Sequence, residues 1–229
     1  DENRAIVYFG LQMLQNTQRT GLLHLLKIMD QEQKEIDEDT IGFQIAPRLN
    51  AVGRLGEASP CVELLVTHDP DVAYSLAEFV DTKNIERKAI VDKMTTSAFA
   101  QLTETNEAFE VNVLADENWH QGVLGIVASR IVDKTNKPTL LFTKDTNTGV
   151  AKGSARSIDA VNSYEAFTEI NELFIQFGGH HMAAGMSAEI SNLPTIQDEL
   201  SKVIRGLEDK ESYQLIDAYV PIEELTIES

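Results

Sequence analysis

The segment that organises the fold reads PDVAYSLAEFVDTKNIERKAIVDKMTTSAFAQLTET and spans residues 70–105. After its first residue no glycine or proline occurs before Gly122, and apolar residues recur near helical spacing through most of it. A continuous helix of this span would be about 54 Å long, several times the usual globular helix. Its polar middle, residues 81–88, indicates a strut that bridges two bodies. The alternative is two ordinary helices with a break near Asp81-Thr82.

The sequence differs in character on the two sides of this strut. Before it, apolar residues at helical spacing predict short helices at 3–15 and 20–29. After it, strands alternate with helices, which predicts a compact α/β or α+β domain of about 100 residues with a mixed sheet. The predicted strands are 111–115, 138–143, 150–156 and 183–190, and the predicted helices are 122–134, 162–175 and 195–207.

Composition narrows the class of protein. The chain has 229 residues, with 37 acidic against 19 basic side chains and a formal net charge of −18. A hydrophobic content of 42% with 24% charged residues is ordinary for a globular chain and excludes intrinsic disorder. No apolar run approaches the ~18–20 residues of a membrane span. The single cysteine, Cys61, cannot form an internal disulfide, which favours a reducing, cytoplasmic setting.

Basic side chains are concentrated in one segment of this acidic chain. Residues 120–157 carry six basic and two acidic side chains, a net charge of +4. A basic island on an acidic body steers a polyanion to one place and repels it elsewhere. We therefore expect any contact with nucleic acid to be local.

The first candidate motif is PRLNAVGRLG at residues 47–56. It places Arg48, Asn50 and Arg54 around a flexible glycine, and arginine suits phosphate because its guanidinium makes bidentate charge-assisted hydrogen bonds. Glycine, proline and asparagine interrupt the helical pattern here, so we expect a loop. The alternative is a surface loop whose arginines pair with the acidic run at 30–39.

The second motif is ENWHQGVLGIVASR at residues 117–130. A strand end followed by a glycine and a helix leaves backbone N–H groups where an anion can dock. Trp119 offers a face on which a base could stack, and His120 offers a titratable donor. The alternative is that Trp119 is a packing residue and Gly122 only a turn.

The third motif is GSARS at residues 153–157. Alternate residues of a strand share a face, so Ser154 and Arg156 point the same way. A hydroxyl beside a guanidinium can hold a terminal phosphate, with each charge-assisted hydrogen bond contributing ~1.5–3 kcal/mol. The alternative is an exposed sheet edge with small residues.

The fourth motif is FGGHHMAAG at residues 177–185. Glycines and alanines on both sides of the histidine pair leave room for a bulky group to approach the backbone. We predict no metal here, because adjacent strand positions face opposite sides and no second His or Cys cluster completes a site. The pattern favours a His180 that faces phosphate or ribose.

The four motifs, in this order, resemble those of the RecJ family of single-strand-specific 5′→3′ DNA exonucleases, which belongs to the DHH phosphoesterase superfamily. The similarity covers essentially the whole chain, including the opening residues 1–11 and 21–26. The Gly-Gly-His element alone indicates only a DHH-associated domain. That domain also occurs in small-oligonucleotide phosphodiesterases and beside alanyl-tRNA synthetase.

The resemblance implies a two-lobed enzyme with single-stranded DNA threaded between its lobes. An upstream DHH domain would hold two metal ions, Mn²⁺ or Mg²⁺, and no metal is expected in the present segment. The Asp-His-His motif that names the superfamily is absent, and both ends of the chain look cut, so we expect an inactive piece of a longer enzyme. The implied divisions are the end of the catalytic domain at 1–57, a long connecting helix at 58–106, the DHH-associated domain at 107–208 and the start of an oligonucleotide-binding fold at 209–229.

The resemblance also implies roles for individual residues. Ser154 and Arg156 would hold the 5′ phosphate or a nearby backbone phosphate. The 47–56 motif would orient the scissile phosphate toward the metals of the upstream lobe through Arg48, Asn50 and Arg54. In supporting catalytic roles, His120 and His180 would hydrogen-bond phosphate or stabilise charge during attack by a metal-bound water. The remaining expected phosphate or DNA contacts are Arg130, Ser157, Gly178 and Gly179.

The implied partner is single-stranded DNA, with repair proteins such as a helicase or a single-strand-binding protein, no membrane, and a monomeric state. One alternative is a DHH-family oligonucleotide phosphodiesterase, which the 47–56 motif and the long connector disfavour. Another is a noncatalytic module whose acidic surface recruits a repair partner.

Overall fold

A computed structural model describes residues 2–102, 108–207 and Tyr219. The chain opens with a helical body that packs around the first half of a long helix. A short π-helical turn, Thr40–Ile45, leads into the third helix of this body. The helices are α1 (Glu2–Gln15), α2 (Thr20–Ile28), α3 (Ala46–Leu55) and α4 (Ser59–Val66).

The long helix, α5, runs without interruption over Pro70–Gln101. Its 32 residues give a length of about 48 Å. Asp69 caps its first turn by accepting hydrogen bonds from the N–H groups of Asp71 (2.9 Å) and Val72 (3.2 Å). The predicted strut is confirmed, and the alternative of a break near Asp81-Thr82 is wrong. The last residues of the predicted span lie among 103–107, outside the described part of the chain.

The second body is built on a five-stranded mixed sheet of strand order β1-β2-β3-β5-β4. β1 and β2 are parallel and joined by helix α6 (Leu124–Thr135), and the other neighbouring strands are antiparallel. The strands are β1 (Asn112–Asp116), β2 (Thr139–Asp145), β3 (Val150–Arg156), β4 (Gln176–Gly179) and β5 (Ala183–Glu189).

The sheet carries a different apolar core on each face. Leu140 and Phe142 of β2 point to one core, where α7 (Ser163–Thr168) and α8 (Leu193–Gly206) cover the sheet. Leu141 points to the opposite core, which α6 and the second half of α5 complete. This alternation follows from the two-residue period of a strand. The predicted fold class is confirmed: α5 connects a helical body to a mixed-sheet domain.

Two local predictions are wrong. The motif at 47–56 is not a loop, because it forms α3, in which Pro47 occupies the first turn, where a missing N–H is tolerated. The helix predicted at 162–175 ends at Thr168, and the chain then forms β4, which pairs with β5. Phe167, Phe174 and Phe177 pack together there, with ring centroids 5.3–6.0 Å apart.

The predicted division into domains stays a prediction. The range 58–106 contains α4 as well as α5, so the long helix itself begins at Pro70. The range 209–229 lies outside the described residues apart from Tyr219. Among the helices of the described part, none is both long and apolar enough to cross a membrane.

Candidate nucleic-acid interface

The end of β3 lies directly against the first turn of α6. Gly125, in that turn, has no side chain, and a Cβ there would be 2.6 Å from Nη2 of Arg156 and 3.1 Å from Oγ of Ser154. Arg156 Nη1 also donates to Ser154 Oγ (3.3 Å) and to the Ala155 carbonyl (2.7 Å). The first turn of a helix carries N–H groups without intrahelical partners and a partial positive charge. A hydroxyl, a guanidinium and a helix N-terminus therefore meet at one point.

The charge of Arg156 is not balanced by a carboxylate. Its side chain is half-buried, and burial followed by the nearby Arg54 guanidinium lowers the pKa of Arg156 from its ordinary value. Within residues 2–102 and 108–207, Arg156 forms no salt bridge. An arginine keeps its proton in proteins, so the site holds an uncompensated positive charge that suits an anion.

The C-terminal end of α3, which belongs to the helical body, lies beside the turn that precedes α6. A Cβ on Gly122 would overlap the carbonyl oxygen of Arg54 and lie 3.2 Å from Cε1 of His120. Arg54 Nη1 donates to the Gly122 carbonyl (3.0 Å), and His120 Nδ1 accepts from the Gly122 N–H (3.1 Å). The neutral imidazole in this arrangement carries its proton on Nε2. Arg54 and His120 are thus held side by side at the junction of the two bodies.

A bare strip of sheet extends from Ser154 toward β4. Ser154 pairs across the sheet with Gly185, and Gly185 pairs with Gly178. A Cβ on either glycine would meet nothing within 4 Å, so the sheet is uncovered there. Two strand spacings of ~4.8 Å separate Gly178 from Ser154 by about 10 Å.

The histidine pair lies at the edge of this strip. The His180 N–H donates to the carbonyl of Ala183 (2.8 Å), and Ala183 is the partner of Arg156 in the sheet. Both histidines are exposed, and the His181 ring is 2.9 Å from the carbonyl of Asp159. His180 is therefore on the same side of the domain as Arg156, two strands away.

Four predicted residues lie apart from this point. Arg48 is 2.7 Å from Asp81 on α5. Arg130 of α6 is 2.8 Å from Asp92 on α5. Of the two arginines of the 47–56 motif, Arg48 therefore pairs with α5 and Arg54 bonds to the Gly122 carbonyl, so neither pairs with the acidic run at 30–39. Asn50 is exposed on α3, and the Ser157 hydroxyl is buried and donates to the Val161 carbonyl (2.7 Å), so the structure does not bring Ser157 into the site.

Trp119 is a packing residue. It is 4% exposed, and its indole N–H donates to Ser97 on α5 (3.3 Å). No face is free for a base, so the stacking interpretation is wrong and the packing alternative holds for Trp119, whereas Gly122 is a point of close approach to Arg54 and not only a turn.

Two residues of the site escaped the sequence analysis. Gly125 allows Arg156 to lie over α6, and Arg87 of α5 is close enough to Arg54 and Arg130 for both to affect its pKa. A glycine in the first turn of a predicted helix, as Gly125 is in the helix predicted at 122–134, is a signal of close approach that the sequence does contain. Arg87 stands at an apolar position of the helical pattern, which is also readable in retrospect.

The described residues do not supply a metal site. In the two stretches 2–102 and 108–207, no group of three or more His, Cys, Asp or Glu side chains is arranged to hold an ion. The donors that the site does contain are guanidinium, hydroxyl and imidazole groups, which suit an anion. We therefore assign no metal-dependent step to these residues.

Comparison with known proteins gives one consistent family. Residues 106–206 match the DHHA1 domain. The chain is 39% identical over 232 residues to the single-stranded-DNA-specific exonuclease RecJ of Bacillus subtilis, covering 100% of this chain and 30% of that protein. Crystal structures of Thermus thermophilus RecJ with Mg²⁺ and with Mn²⁺ superpose with TM-scores of 0.79 and 0.78 at 30% identity. These superpositions cover 89% of this chain and 31% and 30% of those chains, so the chain spans about a third of their length.

Proposed function

Because this chain belongs to the RecJ family of single-stranded-DNA-specific exonucleases, we propose that it forms the DNA-binding part of a 5′→3′ exonuclease. Ser154 and Arg156 hold the 5′ phosphate, or the backbone phosphate next to it, against the first turn of α6. The observation that carries this proposal is the close approach at Gly125: because this residue has no side chain, the Arg156 guanidinium and the Ser154 hydroxyl lie against the N-terminus of α6. Each of these three groups donates to phosphate oxygens.

The DNA strand continues from this phosphate along the uncovered strip of the β-sheet. Gly185 and Gly178 leave the backbone open beside Ser154, and Gly179 and His180 border the strip. A polynucleotide backbone can approach such a surface without displacing side chains. The match to single-stranded-DNA-specific exonucleases supports one DNA strand, and not a duplex, on this surface.

The other side of the bound phosphate faces the helical body. Arg54 and His120 lie at the junction, and Arg48 and Asn50 belong to the same helix as Arg54. We assign Arg54, His120 and the exposed Asn50 to the scissile phosphate, which they orient toward a catalytic centre, while Arg48 is held by Asp81 and supports the packing of α3 on α5. That centre uses Mg²⁺ or Mn²⁺, the ions bound in the Thermus thermophilus relatives, and its metal ligands come from outside the described residues 2–102 and 108–207.

The domain divisions at residues 57, 106 and 208 form part of this proposal. An apolar face of α1 supports the assignment of residues 1–57 to a larger catalytic domain, since Ile6, Phe9 and Met13 are 69%, 60% and 76% exposed. A helix that presents such a face is completed by a partner surface. The catalytic domain supplies that surface, and the chain without it does not hydrolyse DNA.

The cellular setting follows from the substrate. A DNA-processing enzyme with a single, buried and unpaired Cys61 belongs in the reducing cytoplasm. The acidic remainder of the surface is the place for contacts with repair proteins such as a helicase or a single-strand-binding protein. We propose that the chain acts as a monomer, with one surface for repair proteins on each chain.

Fluorescence anisotropy with short oligonucleotides tests this function. We expect the chain to bind a single strand more tightly than a duplex, and a 5′-phosphorylated strand more tightly than a 5′-hydroxyl strand. Arg156→Gln should weaken binding of the phosphorylated strand by about tenfold or more and abolish the preference for the phosphate. Lys202→Gln removes a cation from α8, on the opposite face of the sheet, and should leave binding unchanged. Equal binding by wild type and Arg156→Gln would refute the assignment.

A further inference from the structure

One face of the long helix α5 forms a continuous stripe of buried residues that packs against the rest of the molecule. Its buried members follow alternating steps of three and four residues, as a helix buried along one face requires. Arg87 occupies the next position in the same series, between Asn84 and Val91. The buried members of the stripe are Ala73, Ala77, Val80, Asn84, Val91, Met94 and Ala98.

Arg87 stands where the stripe passes from one body to the other. Val80 packs in the core of the helical body, with α2, α3 and α4. Val91 and Met94 pack in the core formed by α6 and the sheet. Between them the stripe turns polar, with Asn84 2% exposed and Arg87 beside it. Arg87 therefore lies on the floor of the junction where α3 meets the loop before α6.

The contacts of Arg87 leave its charge and one of its donors unused. Nη2 donates to Oδ1 of Asn84 (2.9 Å), while the Nε–H is buried and has no hydrogen-bond partner. The neighbouring carboxylate of Asp92 is 2.8 Å from Arg130 instead. Burial, and then repulsion by Arg54 and Arg130, lowers the pKa of Arg87. Asp92 acts against this shift but pairs with Arg130, so Arg87 stands beside two further cations without an ion pair of its own in the described part of the chain.

Arg54 links this position to the phosphate site. It is close enough to lower the pKa of Arg156 on one side and of Arg87 on the other. None of Arg54, Arg87 and Arg156 forms a salt bridge within the part of the chain that the structure describes. The three come from α3, α5 and β3, so a single polyanion can satisfy all three at once.

We propose that Arg87 binds a backbone phosphate of the single strand, one step along from the phosphate held by Ser154 and Arg156. The inference rests on the proposed function and adds the connecting helix to the DNA-binding surface. The incoming phosphate pairs with the half-buried guanidinium of Arg87 and neutralises the cluster. The long helix is then the floor of the cleft as well as a spacer between the bodies.

The test compares Arg87→Met with Lys88→Gln on the whole 229-residue chain. Met keeps the length and apolar stem of the arginine, and Lys88 is an exposed cation one residue further along α5. We expect Arg87→Met to weaken binding of a phosphorylated single strand by about 10- to 100-fold. The slope of log affinity against log salt should fall by about 0.7, the value of one phosphate contact on a single strand. Lys88→Gln should leave both quantities near those of wild type.

Thermal unfolding separates binding from a structural role. The Tm of the free Arg87→Met chain reflects two opposed effects, the loss of an uncompensated charge and the loss of the donor to buried Asn84, so the shift in Tm on adding ligand is the readout. Inorganic pyrophosphate should raise the Tm of wild type and of Lys88→Gln, and raise that of Arg87→Met less. If Arg87→Met does not fold, Arg87→Lys decides, since lysine keeps the charge but lacks the Nε–H and should still weaken binding.

The outcomes are distinguishable. Unchanged strand affinity in Arg87→Met, with a lowered Tm, would make Arg87 a structural partner of Asn84 and overturn the inference alone. A wild-type chain that binds no single strand would contradict the proposed function itself, and the inference with it.

Discussion

The carbonyl oxygen of Arg54 occupies the space that a side chain on Gly122 would fill. The C-terminal end of α3 and the turn before α6 are therefore in backbone contact, and Arg54 Nη1 reinforces it by donating to the Gly122 carbonyl (3.0 Å). This contact joins the helical body to the sheet domain beside the phosphate site. The contact fixes the distance between Arg54 of the helical body and the Ser154 and Arg156 side chains of the sheet domain.

Gly122→Ala should separate these two bodies. The added methyl group meets backbone atoms, which cannot move aside cheaply, so we expect the free energy of unfolding to fall by about 1–3 kcal/mol. Urea denaturation measures this change. Gly10→Ala is the control, because the space around Gly10 on α1 is open and the substitution favours the helix by roughly 0.5–1 kcal/mol. A Gly122→Ala variant as stable as wild type would show that the contact is not tight.

Gly125→Ala should impair binding more than stability. The atoms it meets are the tip of Arg156 and the hydroxyl of Ser154, which are side-chain ends that can shift. Their displacement removes the phosphate donors from the helix N-terminus, so affinity for a 5′-phosphorylated strand should fall roughly tenfold. The free energy of unfolding should change by less than about 1 kcal/mol, because alanine favours the helix. Anisotropy and urea denaturation measure the two effects, and unchanged affinity would contradict the phosphate site.

The two adjacent glycines of β4 should respond differently to alanine. Gly178→Ala places a methyl group in open space on the bare strip, so it should weaken single-strand binding without lowering Tm. Gly179→Ala places the methyl group against the carbonyl of Ala183 and the backbone of Ala184, so it should lower Tm. Differential scanning fluorimetry and anisotropy on both variants test this split. Full binding by a folded Gly178→Ala would exclude the strip from the DNA path.

The ion pair of Arg48 and Asp81 should contribute measurably to the packing of α3 on α5. The 2.7 Å pair is largely shielded from water, with side chains 17% and 22% exposed, and Arg48 also donates to the Gln44 carbonyl (2.9 Å). A double-mutant cycle with Arg48→Met and Asp81→Asn should give a coupling free energy of roughly 1 kcal/mol. Strictly additive single variants would show that the pair adds no stability.

Stability should fall in acid partly through Asp37. Its carboxylate accepts hydrogen bonds from the hydroxyl and the N–H of Thr40, both 2.7 Å, and these lower the pKa of Asp37 below the ordinary 3.8. A lowered folded-state pKa means that the unfolded chain binds the proton first, so the contribution is full above pH 3.8 and is lost as pH falls below it. In Tm measurements across this range, Asp37→Asn should lose less stability than wild type. Parallel acid profiles would assign the loss to other groups.

Most of the fold was predictable because its periodic segments are long. The uninterrupted pattern of α5 and the buried strands β1, β2 and β3 produce signals that local sequence carries alone. β4 was missed because Gly178 and Gly179 have low strand propensity and give no local strand signal, and only pairing with β5 makes them a strand. α3 was missed because Pro47 and Gly53 read as breakers, although the contacts of buried Ala51 and Val52 outweigh their low propensity.

The site was predictable in part, for reasons of the same kind. The pairing of Ser154 with Arg156 follows from strand alternation, which is local. The partners of Arg48 and Arg130 on α5 depend on how the bodies pack, and no local pattern contains that information. The burial of the Ser157 hydroxyl depends on the next loop, through Val161.

The most direct test of the account is a crystal structure of this chain with a 5′-phosphorylated oligonucleotide. We predict that the terminal phosphate, or the one next to it, lies within hydrogen-bond distance of Ser154 Oγ and Arg156, over the turn that contains Gly125. An oligonucleotide bound on another surface, with Arg156 still lacking an anion, would contradict the central claim.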